Sequence, residues 1–274
     1  MPEAELRAAT AAPRLTAERL SLGYGARAVV SDLAIAVPTG LMTVIVGPNA
    51  CGKSTLLRAL ARLLPPTAGT VQLDGRDLSS YGGKELAREL ALLPQSPTAP
   101  DGMTVADLVA RGRYPHQSLL RQWSSRDQEA VDAAMTAADV TALAERPVRE
   151  LSGGQRQRVW LAMALAQDTD VLLLDEPTTY LDISHQVEVL ELARRLRKGG
   201  RTVVAVLHEL NLAFRYADHL VVMRDGAVVA TGDPRTVVTA ELVEEVYDLP
   251  CRVITDPLSG TPLVLPLAGT GEAR

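Results

Sequence analysis

Gly47-Pro48-Asn49-Ala50-Cys51-Gly52-Lys53-Ser54 is the stretch on which the reading of this chain turns. It fits the spacing G-x-x-x-x-G-K-[S/T]. It follows the apolar run Leu41–Val46, which reads as a buried strand. It opens the segment Ser54–Leu64, whose spacing is helical until Pro65-Pro66 stops it. Strand, glycine-rich loop and helix in that order are the context that gives the motif its meaning. Glycines let a backbone wrap closely around phosphate groups. The helix N-terminus turns unpaired N–H groups and a positive dipole end toward an anion. A phosphate loop is therefore expected. Lys53 should reach the β- and γ-phosphates, Ser54 should offer its hydroxyl to Mg²⁺, and Thr55 should help hold the α-phosphate.

The second half of such a site is expected at Val171-Leu172-Leu173-Leu174-Asp175-Glu176. An apolar strand ends there in two carboxylates, and ligands of open α/β sheets bind at that end of the strands. Asp175 is placed to support Mg²⁺ through a water. Glu176 is placed to orient or activate an attacking water. Phosphoryl transfer asks for such positioning and charge neutralisation more than for covalent chemistry.

Further along the chain, strands are read at Gly69–Leu73 and Thr202–Leu207. Helices are read at Val105–Arg113, Ser125–Ala138, Gly153–Gln167, His185–Lys198, Leu210–Tyr216 and Val237–Tyr247. A hairpin is read at Leu220–Arg224 and Ala227–Thr231, turning at Asp225-Gly226. Alternating strands and helices predict an α/β core with mostly parallel strands. The stretch 96–160 reads as a helical insertion, 1–14 as a flexible leader and 256–274 as a short Gly/Pro/Leu-rich tail, all within one domain.

Composition removes several classes. A formal net charge of −5 leaves no overall basic surface for nucleic acid. Aromatics at 3% argue against base-stacking platforms. Cys51 and Cys251 belong to no CxxC or Cys/His cluster, so no metal site is read from them. Cys51 lies inside the phosphate loop, where a disulfide would obstruct the ligand; this favours a reducing compartment. No signal-peptide core and no membrane span is read, so the expected location is cytoplasmic and any membrane role peripheral.

Leu151-Ser152-Gly153-Gly154-Gln155 heads the segment read as helix 153–167, a second glycine-rich helix N-terminus. Ser152 alone could be no more than a helix cap. The string LSGGQ resembles the signature of ABC ATPases, and the other motifs of that family follow in order. Tyr24 resembles its adenine-stacking aromatic, Gln95 its Q-loop glutamine, Leu181-Asp182 its D-loop and His208 its switch histidine.

The resemblance covers about residues 15–255. It implies a P-loop NTPase fold of the ABC nucleotide-binding type: a mixed sheet core, an antiparallel β subdomain and an inserted helical subdomain. It implies ATP and Mg²⁺ as cofactors, with Ser54, Gln95 and Asp175 around the metal. It implies Glu176, His208 and Gln95 as catalytic residues, and an ATP site of Tyr24, Gly47, Pro48, Asn49, Ala50, Cys51, Gly52, Lys53, Ser54 and Thr55. It further implies a homodimer in which Leu151–Gln155 of one subunit covers the nucleotide of the other. One departure stands out: Ala50 occupies a position that is often Gly in this family. If that position has φ > 0, alanine costs about 1–2 kcal/mol there.

One set of motifs in one chain differs from the soluble ABC proteins of translation, which usually carry two. The stretch between Lys53 and Leu151 is too short for the long coiled coil of the repair and chromosome ATPases. No fused membrane helices are read, unlike in many exporters. An importer subunit fits best.

Thr104–His116, Trp160–Gln167, Glu176–Gln186 and Ser259–Leu267 resemble the ferric-siderophore subfamily, the ATPases of ferric-enterobactin and ferric-hydroxamate uptake. That implies an ATP-hydrolysing subunit on the inner face of the cell membrane. Its partners are integral-membrane permease subunits and, indirectly, a substrate-binding protein; nucleic acid is not among them. Cobalamin or haem import, or a soluble non-transport ABC ATPase, are the alternatives. The permease surface is expected along 96–116, with Arg111, Arg113, Tyr114 and His116 exposed.

Overall fold

The computed structural model describes residues 13–118, 123–179 and 181–267. Most of the expected leader, part of the expected tail, and Tyr180 within the Glu176–Gln186 stretch lie outside these residues.

Long strands β1 (Leu15–Tyr24) and β2 (Arg27–Val37) pair antiparallel, and β4 (Ala68–Leu73) and β5 (Arg76–Asp77) complete a four-stranded sheet in the order β2-β1-β4-β5. Between them in sequence run β3 (Met42–Val46) and α1 (Lys53–Leu60).

A six-stranded sheet takes β3 to its centre. Its order is β10-β9-β3-β8-β7-β6, built with β6 (Leu90–Leu93), β7 (Val171–Asp175), β8 (Thr202–Val206), β9 (His219–Arg224) and β10 (Ala227–Gly232). Every pair is parallel except the β9–β10 hairpin. Strands β3, β7 and β8 are buried at every position, as a parallel strand covered on both faces must be.

The pleat divides these strands between two cores. Val44, Leu172, Leu174, Val203 and Ala205 face the helices, whereas Ile45, Val171, Leu173, Val204 and Val206 face α1 and the four-stranded sheet.

The middle of the chain holds α2 (Gly83–Glu89), α3 (Val105–Ala110), α4 (Ser125–Ala137) and α5 (Gly153–Ala166). The last of these leads into β7. Gln167 caps α5 and donates its Nε2 to the carbonyls of Ala87 (2.6 Å) and Leu90 (2.9 Å), tying the helix to the start of β6.

After β7 come α6 (Ile183–Lys198), α7 (Leu210–Tyr216), α8 (Pro234–Val237) and α9 (Ala240–Tyr247). The helix expected at Val237–Tyr247 is thus two elements, because Thr239 starts α9 as its N-cap, accepting from the Leu242 N–H.

Two differences from the sequence reading matter. The expected tail contains β12 (Pro262–Pro266), which pairs with β11 (Cys251–Thr255) as an antiparallel hairpin. Arg113, expected on the surface, is 2% exposed. It lies in a 3₁₀ turn, Arg111–His116, and its guanidinium meets Asp127 at 3.0 Å and donates to the Ala166 carbonyl at 2.8 Å. Tyr114 and Arg111 are exposed as expected; His116 is half-buried, its Nε2 2.8 Å from the Gln167 carbonyl oxygen.

Candidate nucleotide-binding site

The loop between β3 and α1 is shaped by its glycines. A Cβ at Gly47 would sit 2.2 Å from the Met223 carbonyl oxygen on β9, so no side chain fits. Gly52 adopts φ 106° as the N-cap of α1, a conformation that L residues rarely take. Ala50 lies between them at φ 63°. The left-handed geometry anticipated for this position is therefore present, and alanine meets it at a cost of about 1–2 kcal/mol. Cys51 is buried, and loss of hydration pushes its thiol pKa upward.

Lys53 folds back over the loop. Its Nζ donates to the carbonyls of Gly47 and Pro48, both at 2.8 Å, and the side chain is buried. Burial lowers the pKa of its ammonium. A cation already desolvated beside open N–H groups is well suited to an anionic ligand.

The opposite wall comes from the end of β7. Ser54 Oγ donates to Asp175 Oδ1 at 2.8 Å. Burial pushes the Asp175 carboxyl above its usual range, the Ser54 bond opposes this, and the adjacent Glu176 charge adds to it.

Glu176 has φ 53° and is held at both oxygens. Oε1 lies 2.5 Å from His208 Nε2, and Oε2 accepts from Gln95 Nε2 at 2.6 Å and Thr179 Oγ1 at 3.2 Å. Burial would raise its pKa, but His208 foremost, then Gln95 and Thr179, outweigh it and hold the carboxyl below its usual range. Two neighbouring carboxyls are thus shifted in opposite directions by their surroundings.

Some of these groups line a cavity of about 350 Å³, while Gly47, Cys51, Asp175, Gln95 and Thr179 stand behind its lining. Asn49, Ala50, Gly52, Lys53, Ser54 and Thr55 form its floor; Glu176 and His208 form one side; Tyr24, Arg27 and Val29 form the other. Tyr24 is 47% exposed, and its hydroxyl accepts from Arg58. Arg27, Val29 and Thr179 were not singled out in the sequence. Thr179 was accessible in principle, three residues beyond Glu176; Arg27 and Val29 reach the cavity only through the β1–β2 turn.

Leu151–Gln155 do not line this cavity. Ser152 caps α5, its Oγ accepting from the Gln155 N–H at 3.2 Å while Gln155 Oε1 accepts from the Ser152 N–H. A side chain at Gly154 would meet Leu181 at 3.2 Å, so the two stretches Leu151–Gln155 and Leu181-Asp182 adjoin each other. Asp182 caps α6, accepting from the His185 N–H. Gln157, also missed in the sequence, donates to the Pro177 carbonyl just after Glu176.

A second hollow, of about 550 Å³, opens between Gln95–Pro100 and α5. Val148, Arg149, Gly153, Arg156, Gln157 and Trp160 form its other wall. Gln95 therefore touches Glu176 with its amide and borders this groove as well.

Ser54 and Asp175 offer hard oxygen donors side by side, which suits Mg²⁺. Among the described residues no group of three or more His, Cys, Asp or Glu side chains could hold a metal unaided. Mg²⁺ in such a setting takes its other ligands from phosphate oxygens and water.

The protein-family model described as ABC transporter matches residues 30–179. The ferric enterobactin transport ATP-binding protein FepC of Escherichia coli is 55% identical over 261 residues, covering 95% of this chain and 96% of that protein. The petrobactin import ATP-binding protein FpuD of Bacillus anthracis is 53% identical over 253 residues, covering 92% of this chain and 93% of that protein. Among solved structures, a metal-chelate type ABC transporter in an inward-facing conformation superposes with a TM-score of 0.80 at 29% identity, covering 94% of this chain and 98% of that one.

Proposed function

This chain belongs to the ABC transporter family as one of its ATP-binding cassettes, and we propose that it hydrolyses ATP to power import of a ferric siderophore across the cytoplasmic membrane. The observation that carries the hydrolytic part is Glu176, gripped by His208 and Gln95 at the edge of a cavity floored by Lys53 and Ser54. Relatives named for ferric enterobactin transport and petrobactin import support the cargo.

The chemistry follows from the groups in place. Lys53 and the loop N–H groups bind the β- and γ-phosphates, Thr55 lies beside the α-phosphate, and Tyr24 stacks on the base. Ser54, Asp175 and the Gln95 oxygen would hold Mg²⁺, and the ion would neutralise phosphate charge. Glu176, kept ionised by its partners, takes a hydrogen bond from the attacking water and aims it at the γ-phosphorus. His208 and Gln95 fix that carboxylate, leaving little reorganisation for the reaction itself.

Leu151–Gln155 stand outside the cavity and are a capped helix N-terminus with exposed Ser152 and Gly153. In the proposed dimer they close over the nucleotide of the second copy, with Leu181 and Asp182 crossing between subunits. The groove beside Gln95 receives a permease segment. The chain then sits peripherally on the inner face of the membrane; no helix among the described residues is long and apolar enough to cross it.

Deleting the coding sequence and measuring uptake of radiolabelled iron presented as defined siderophores, as haemin or as free salt tests the cargo. Loss confined to one or more siderophores is expected; loss confined to haemin would redirect the assignment.

A further inference from the structure

His208 sits between two fixed elements. On one side the Leu207 N–H donates to the Ile45 carbonyl at 3.2 Å, anchoring the end of β8 to the sheet. On the other, α7 begins at Leu210, and its N-cap Glu209 makes no side-chain cap. A turn without a cap needs another anchor.

Asn211 supplies it. Its Oδ1 accepts from the Val264 N–H at 2.8 Å, and its Nδ2 donates to the Val264 carbonyl at 3.3 Å. One carboxamide thus pairs with both backbone groups of a single residue on β12, acting as an additional rung of the β11–β12 hairpin. Val264 is 4% exposed and, with Cys251, belongs to the main core. The hairpin is therefore an anchored part, and the two residues between Leu207 and α7 leave His208 little freedom once α7 is set.

We propose that Asn211 is a positioning residue for hydrolysis: by gripping Val264 it orients α7 and so holds the His208 ring on Glu176. The C-terminal hairpin then serves the active site from a distance. This rests on the roles given above to His208 and Glu176.

A double-mutant cycle on the purified full chain tests it. Asn211→Ala should lower kcat for ATP by about tenfold while KM moves by less than about twofold, the signature of misplacement in the reacting complex. His208→Ala should lower kcat as well. The double variant should be no slower than His208→Ala alone, since both changes remove the same contact. A merely structural staple predicts losses that multiply; that result, or an unchanged kcat in Asn211→Ala, overturns the proposal while leaving the site assignment intact. Normal turnover in His208→Ala overturns both. Asn211→Asp keeps the acceptor and loses the donor; it should fall between, and it carries the same cycle if the alanine variant does not fold.

Discussion

His208 Nε2 stands 2.5 Å from Glu176 Oε1, and Gln95 takes the other carboxylate oxygen at 2.6 Å. The carboxylate is thus aimed from both ends, by residues 81 positions before it and on the strand end after it. Glu176→Gln keeps the shape but removes the ionised acceptor. ATP binding should persist, and turnover should fall by about 10²–10⁴-fold, the usual worth of a positioned base. ATP hydrolysis and equilibrium nucleotide binding are the paired measurements; near-normal turnover would sink the role given to Glu176.

Lys53→Ala removes the ammonium that bridges the Gly47 and Pro48 carbonyls. Both the cation for the phosphates and the internal brace of the loop go with it. Nucleotide affinity should drop at least about tenfold, as loss of a charge-assisted contact predicts. Titration with a fluorescent ATP analogue reads this directly; unchanged affinity would remove the phosphate-loop reading.

Arg113→Met leaves Asp127 as a buried charge without its partner. Breaking one side of such a pair costs about 3–5 kcal/mol. Asp127 is held below the usual carboxyl range: burial raises it, but Ser124 and Arg113 outweigh that. Its contribution is therefore present above the unfolded carboxyl pKa and is lost as pH falls through the folded one. Urea unfolding of both proteins at pH 7 and near pH 3 should show a wide gap that narrows on acidification. A gap that widens in acid would contradict this account.

Ala50→Gly places the residue without a Cβ at φ 63°. Relief of left-handed strain, less the entropy of an added glycine, should stabilise by about 1 kcal/mol at most. That corresponds to a rise of about 2 °C in melting temperature for a chain of this size. Differential scanning calorimetry reads it; a lowered Tm would show that the alanine methyl is needed where it stands.

Much of the fold was legible because its signals are local. Gly47–Ser54 carries strand end, loop and helix start in eight residues, and Val171–Glu176 carries a buried strand with its carboxylates attached. What was missed depends on distant partners. Arg113 sits in Arg-Gly-Arg-Tyr, which reads as a solvated loop; only the arrival of Asp127 and the Ala166 carbonyl makes its burial affordable in free energy. Strand β12 falls in the stretch that reads as a Gly/Pro/Leu tail, because short strands gain meaning only when paired, here with β11. Short α2 escaped because its start rests on Gly82, whose N–H donates to Glu85, and not on a conventional capping side chain. Within the site, the wall residues Arg27 and Val29 carry no motif, and their places follow from how the β1–β2 turn reaches across to α1; Thr179 carries none either and is placed by its bond to Glu176.

Gln167 fastens the far end of α5 to the carbonyls of Ala87 and Leu90, at the root of the strand that leads to Gln95. Were that end to act as a pivot, Ser152 would be at the tip of the arm. Fourteen helical residues span roughly 21 Å. A swing of about ten degrees about Gln167 therefore sweeps Ser152 through about 3.7 Å. The helix needs no internal bend to carry its glycine-rich tip through a hydrogen bond's length.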